Sequence, residues 1–136
     1  MRTLYKAAFY YVILGLAFGL FYREFTVFNH FDGITALSTL HVHTLVLGFI
    51  FHLVLLSLDL ALSLHNQKQF KLFFWFYQVS VHGLLATLTI RGILDVLSTD
   101  MVGLNHMAGL FHTTLAVSLV LWMILIGKAL KQKQSL

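Results

Sequence analysis

Two histidines one residue apart, His41-Val42-His43, lie inside a run of apolar residues long enough to cross a bilayer, Leu37 to Leu64. Imidazole is costly in hydrocarbon unless it has a partner or a task. Neutral imidazole is also the commonest metal-ligating side chain. His82 and His112 sit at membrane depth in other apolar runs. Metal ligation, with haem iron foremost, is the chemistry this inventory suggests. The second run also carries a polar line of His41, Gly48, His52 and Asp59. On an ideal α-helix these four fall within about 20° of one face over about 27 Å, so the line is expected to face the protein interior. His43 is turned about 160° from His41. The two imidazoles therefore address different neighbours.

Depth narrows the pairings. A second helix starting near Gly33 puts His41 about 12 Å below the outer surface, and a fourth starting near Val102 puts His112 at about 15 Å and His106 at about 6 Å. His41 or His43 with His112 is the expected outer pair. His52 and His82, at or past the midplane, form a possible deeper pair. Arg23 and Arg91 are on the outer side, where guanidinium suits the two propionates of a haem. Asp95, one turn beyond Arg91, offers a rival internal ion pair. Asp59 reads as a helix-end residue or as part of a proton path. His30 and His65 fall at loops and carry no assigned role.

The elements that position these residues follow from composition. Of the 136 residues 59% are hydrophobic and 10% are charged, and the mean hydropathy is +0.85. A soluble domain carries about 25% charged residues. One domain, residues 1–136, of four membrane-spanning helices fits this length. The segments run from about Leu4 to Tyr22, Ile34 to Leu64, Leu72 to Leu97 and Val102 to Leu130, with a loop predicted from Arg23 to Gly33. The fold class is thus an all-α integral membrane bundle. The first segment lacks a small-residue cleavage pattern and is expected to be a retained helix rather than a signal peptide. Its line of Ala7, Tyr11, Gly15 and Gly19 suits close helix packing.

The net charge of +4 does not indicate a nucleic-acid partner, because the cations sit at the ends of apolar runs. Arg2, Lys6, Lys68, Lys71, Lys128, Lys131 and Lys133 share one side. By the positive-inside rule both termini are expected in the cytoplasm, in a bacterial cell membrane. Absence of Cys excludes thiolate-ligated haem, iron–sulfur clusters and covalent c-type haem. Absence of Pro predicts largely unbroken helices.

The stretch His41-Val42-His43-Thr44-Leu45-Val46-Leu47-Gly48-Phe49 resembles a metal-binding helix of the haem–copper oxidase superfamily, above all the cbb3-type oxidases, the nitric oxide reductases and the related NnrS-like haem proteins. In those helices one histidine ligates a low-spin haem and the other a high-spin haem. The resemblance makes His41 and His43 candidate axial ligands. The chain has no adjacent His-His pair and no His–Tyr element of the kind that builds the copper site, so copper-dependent oxygen reduction is not implied. The whole chain also resembles a family of small, uncharacterised four-helix bacterial membrane proteins, through Phe21-Tyr22-Arg23-Glu24-Phe25, His41-x-His43, Arg91-Gly92 and Gly109-Leu110-x-His112.

The expected function is therefore non-covalent haem b binding by His41, His43 and His112, with Arg23 and Arg91 at the propionates and His52, His82 and His106 as further candidate ligands. Two axial imidazoles give low-spin iron suited to electron transfer, with a quinol or other redox partner left open. An open axial position would instead make a redox- or gas-handling enzyme. The alternatives are a metal or proton transporter using the His41–His52–Asp59 stripe, and a haem-free structural or assembly partner. The oxidase core is built from arcs of four helices, and three copies of this chain would supply such a core. A homotrimer is thus favoured over a dimer, by analogy. A reporter fused to the carboxyl terminus should read as cytoplasmic, and a periplasmic reading would sink the orientation.

Overall fold

A computed structural model describes residues 2–134. The described residues are all-helical, in four long helices: α1 (Arg2–Phe28), α2 (Leu37–Leu62), α3 (Phe70–Val96) and α4 (Leu104–Gln134). Each is long and apolar enough to cross a membrane. A short 3₁₀ turn, Leu64–Asn66, precedes α3.

The helices alternate in direction. Lys133 Nζ donates to the Ala61 carbonyl at 3.3 Å and Gln67 bonds Gln132 at 2.6 Å, while Thr3, His65 and Lys71 line one cavity. The two termini and the α2–α3 connection therefore share one end, called here the basic end. The α1–α2 and α3–α4 connections share the other. α1 packs along the whole of α2, α3 packs on α2 and most extensively on α4, and α4 reaches α2 mainly through Phe51–Leu62. Within the chain 39% of the α3 span is buried against 22% of each other span, which makes α3 the central helix. The outward faces remain apolar, as with Tyr5, Phe9, Ile13, Leu16 and Leu20 on α1.

α1 runs past the predicted stop at Tyr22 to Phe28, so Arg23 and Glu24 belong to a helix rather than a loop. The true stop is a Schellman-type turn. The Phe31 N–H reaches the Thr26 carbonyl and the His30 N–H reaches that of Val27, with His30 left-handed at φ 50°. Asn29 Nδ2 also donates to the Phe25 carbonyl at 2.7 Å. The end of α3 repeats this arrangement, with the Thr99 N–H on the Leu94 carbonyl and Ser98 at φ 54°. α2 starts at Leu37, three residues later than expected. Its entry is tied to α3: the Thr35 hydroxyl donates to the Gly92 carbonyl at 2.7 Å, and the Asp95 carboxylate accepts the Ala36 N–H at 2.8 Å.

Although the chain has no Pro, α2 is not a uniform α-helix. Leu37–His43 is α-helical, Thr44–Ile50 has π-helical bonding, and Phe51–Leu62 is α-helical again. The wider turn alters which side chains align. Leu40, Thr44, Gly48 and His52 are buried at every fourth position, a spacing that would drift round a regular α-helix by about 40° per step. The π turn absorbs that drift. Leu37, Leu55 and Asp59 extend the buried line at its ends. The expectation that His41 shares this line is corrected. It sits one position beside Leu40 and is half-buried.

Gly48 lies directly under the Tyr11 ring of α1, and any β-carbon there would collide with Tyr11 Cγ and Cδ1. Gly48→Ala should lower stability by about 1–3 kcal/mol through overpacking, read as a drop in the thermal midpoint in detergent. Gly109→Ala, which meets open space, should produce no such drop.

Candidate functional site

The π turn creates a backbone vacancy that a side chain fills. The Phe51 N–H bonds the Val46 and Gly48 carbonyls. Its α-helical partner would have been Leu47. The Leu47 carbonyl instead accepts the Tyr77 hydroxyl of α3 at 2.7 Å. The Gly48 carbonyl also accepts His52 Nδ1–H at 2.5 Å. Since a carbonyl only accepts, His52 Nδ1 carries the proton and Nε2 keeps its lone pair. That Nε2 is buried without a hydrogen-bond partner among the described residues.

His52 is fully buried in a cage of aromatic rings. Tyr11 stacks on it at 5.1 Å between centroids, and Phe74, Phe51 and Tyr77 meet it edge-on at 6.0, 6.0 and 5.9 Å. On the other side of Tyr11 lies His82, at 5.5 Å. The deeper pair of the sequence reading is thus brought into one cluster, with Tyr11 between its members. The Tyr11 hydroxyl donates to Gln78 Oε1 at 2.7 Å and lies 3.2 Å from His82 Nδ1. His82 Nδ1–H bonds the Gln78 carbonyl at 2.8 Å, and the Tyr10 hydroxyl stands 3.3 Å from its Nε2. Sequence reasoning missed Tyr10, Tyr77 and Gln78, and read Tyr11 only as part of a packing face. The recoverable signal was Tyr11, four residues before Gly15 on the small-residue face of the first segment.

The outer candidates are spread rather than gathered. His41 packs over Gly19 of α1, and its Nδ1 is buried with no hydrogen-bond partner among the described residues. His43 is half-buried and ties Nδ1 to the Thr39 carbonyl at 2.9 Å. His112 stands exposed on α4 with Nδ1 on the Ala108 carbonyl at 2.8 Å. Both therefore keep Nε2 as the free lone pair, the orientation that metal-ligating histidines take when Nδ1–H is anchored. His106 is exposed near the start of α4. Among the described residues no three His, Asp or Glu side chains converge as a metal site.

Arg23 is exposed and pairs with Glu24 at 3.8 Å. Arg91 bonds Asn105 and approaches Asp100 at 3.9 Å, while Asp95 is occupied by the Ala36 N–H. The rival Arg91–Asp95 pair is thus replaced by a tie from α3 to the start of α4. At the basic end, buried Asp59 accepts both the His65 N–H at 2.7 Å and His65 Nδ1–H at 2.9 Å through Oδ1. His65, given no role from sequence, thereby fastens the turn that leaves α2.

Four helices long and apolar enough to cross a membrane, with histidines on three of them, make an all-helical bundle whose composition suggests a multi-pass membrane protein. The chain belongs to the family described as "Protein of unknown function (DUF2871)", whose family model matches residues 1–129. No curated protein and no solved structure matches it.

Tyr77→Phe leaves the Leu47 carbonyl without its side-chain donor, at a cost of about 1–3 kcal/mol. The thermal midpoint should fall, whereas Tyr5→Phe, on the exposed face of α1, should leave it unchanged.

Proposed function

We propose that the chain is a haem b-binding electron-transfer protein of the bacterial cytoplasmic membrane, with both termini cytoplasmic and the haem held towards the end opposite the basic one. The observation that carries this reading is the state of the histidines at that end. His43 and His112 each anchor Nδ1 on a backbone carbonyl four residues earlier. Each then turns a free Nε2 away from its own helix. The partnerless Nδ1 of His41 adds a third available nitrogen. An uncompensated imidazole facing hydrocarbon is unfavourable, and ligation to iron removes that penalty. Exposed Arg23 and half-buried Arg91 supply guanidinium groups for the propionates. When bound, haem would supply one-electron chemistry.

Because His112 faces outward and His43 only partly inward, this reading places the haem between copies of the chain in a homo-oligomer, with a trimer favoured over a dimer. A closed ring would cover those imidazoles. The second reading, a metal or proton path along His41, His52 and Asp59, is favoured by one observation, the unpartnered Nε2 of His52.

Purified protein should show a Soret band and a b-type pyridine haemochrome. His43→Ala and His112→Ala should each lose most of that absorbance, His41→Ala should reduce it or change the spin state, and His30→Ala should retain it. Loss confined to His52→Ala and His82→Ala would move the ligands to the deeper cluster. Protein that stays colourless with added haemin would defeat the reading and leave the transporter and structural alternatives. Native mass spectrometry of the coloured protein should give an oligomer, and a monomer holding stoichiometric haem would overturn the shared site.

A further inference from the structure

A second candidate site lies in the lipid-facing seam between α1 and α3, and it does not depend on haem. The groove there has a volume of about 410 Å³, within the range of about 300–1,000 Å³ typical of small-molecule pockets. Thr3, Lys6 and Trp75 mark its mouth near the basic end, and Tyr10, Gln78 and His82 line its deeper part. Along their helices Tyr10 is about 12 Å and His82 about 18 Å from that end. These polar groups therefore open sideways into hydrocarbon.

Their hydrogen bonds determine what they can still offer. Gln78 Oε1 already accepts from Tyr11, which leaves the amide NH₂ as a donor. His82 Nδ1–H is held by the Gln78 carbonyl, so Nε2 is an acceptor, met among the described residues by the Tyr10 hydroxyl at a long 3.3 Å. A lipid acyl chain in the groove would leave the amide NH₂ without a partner and the imidazole Nε2 with the long Tyr10 contact alone, which is unfavourable in hydrocarbon. A flat ring bearing hydroxyls would satisfy both, since a hydroxyl oxygen accepts from the amide and its O–H donates to Nε2. Trp75, 60% exposed, supplies an aromatic surface beside it. The fully buried His52 stacks on the far side of Tyr11, so the polar cluster continues from the groove into the core.

We propose that this groove binds the head of a lipid-soluble quinol, with one oxygen accepting from the Gln78 amide and one hydroxyl donating to His82 Nε2, its ring against Trp75 and its tail in the bilayer. Decylubiquinol, kept reduced and titrated into the full-length protein in nanodiscs, tests this through Trp75 emission, with haem content read separately from the Soret band. Quenching should saturate, and Trp75→Phe should abolish the saturable part because Trp122 is buried in the core. Gln78→Leu and His82→Ala should each weaken the apparent affinity about tenfold. Val79→Phe, at an exposed position lining the groove, fills it without disturbing the polar groups and should abolish saturation with the thermal midpoint unchanged. Linear quenching, identical in the native chain and all the groove variants, would overturn the proposal. So would an oligomer that dissociates in Val79→Phe without any saturable quenching, since the groove would then be covered by a second copy. Saturable quenching in colourless protein would uphold this site while the haem reading fails.

Discussion

A carbonyl that loses its helical partner in an apolar interior has no water to turn to. That constraint governs the second helix of this chain and, through it, the rest of the bundle. The π turn at Thr44–Ile50 displaces Leu47 from the backbone ladder, and the Tyr77 hydroxyl replaces the missing donor. The same turn allows Gly48 to lie beneath the Tyr11 ring, and Tyr11 in turn brings together His52, Gln78 and His82. α1, α2 and α3 are thus locked through one glycine, two tyrosines and a carbonyl. The central position of α3 follows, because it contributes Tyr77 to α2, Gln78 to α1 and the long packed face to α4.

Much of this architecture is legible in the sequence, because hydrocarbon imposes a coarse code. Four apolar runs gave four long helices, and the clustering of lysines at alternate connections agrees with termini that share one end. The buried character of Gly48, His52 and Asp59 was readable from spacing. The position of His41 was not, since an assumed α-helical period carries it onto a line that the π turn actually assigns to Leu40 and Thr44. No residue type announces a π turn. It coincides with the contact of Gly48 and Tyr11, which are far apart in the chain. The end of α1 was misread because Arg23 and Glu24 look like loop residues, whereas the stop is made by backbone bonds around a left-handed His30. Asp95 likewise belongs to tertiary structure: one turn from Arg91 in sequence, it caps the entry of another helix.

The candidate sites divide along the same lines. The inner histidines, His52 and His82, are positioned by neighbouring rings and are properties of the single chain. His43 and His112 are positioned only by their own helices, through anchored Nδ1 atoms, and their surroundings depend on what lies against the bundle. In the proposed haem reading, imidazoles held this way on outward faces would serve a cofactor shared between chains. The arginines fit this division. Arg91 is restrained by Asn105 and Asp100, while Arg23 stands clear of the bundle.

Seen as an event in the history of the chain, a π turn is a single inserted residue that the helix has accommodated without breaking. Were the turn between Thr44 and Ile50 to relax to an ordinary α-helix with no residue removed, the segment carrying His41 and His43 would turn by about 100° relative to His52 and Asp59. The inner half would keep its contacts, and the outer histidines would address different neighbours. The extra residue and the wider turn thus compensate one another. Losing both together would leave the outer imidazoles within about 20° of their present direction, with the aromatic cage around His52 in place.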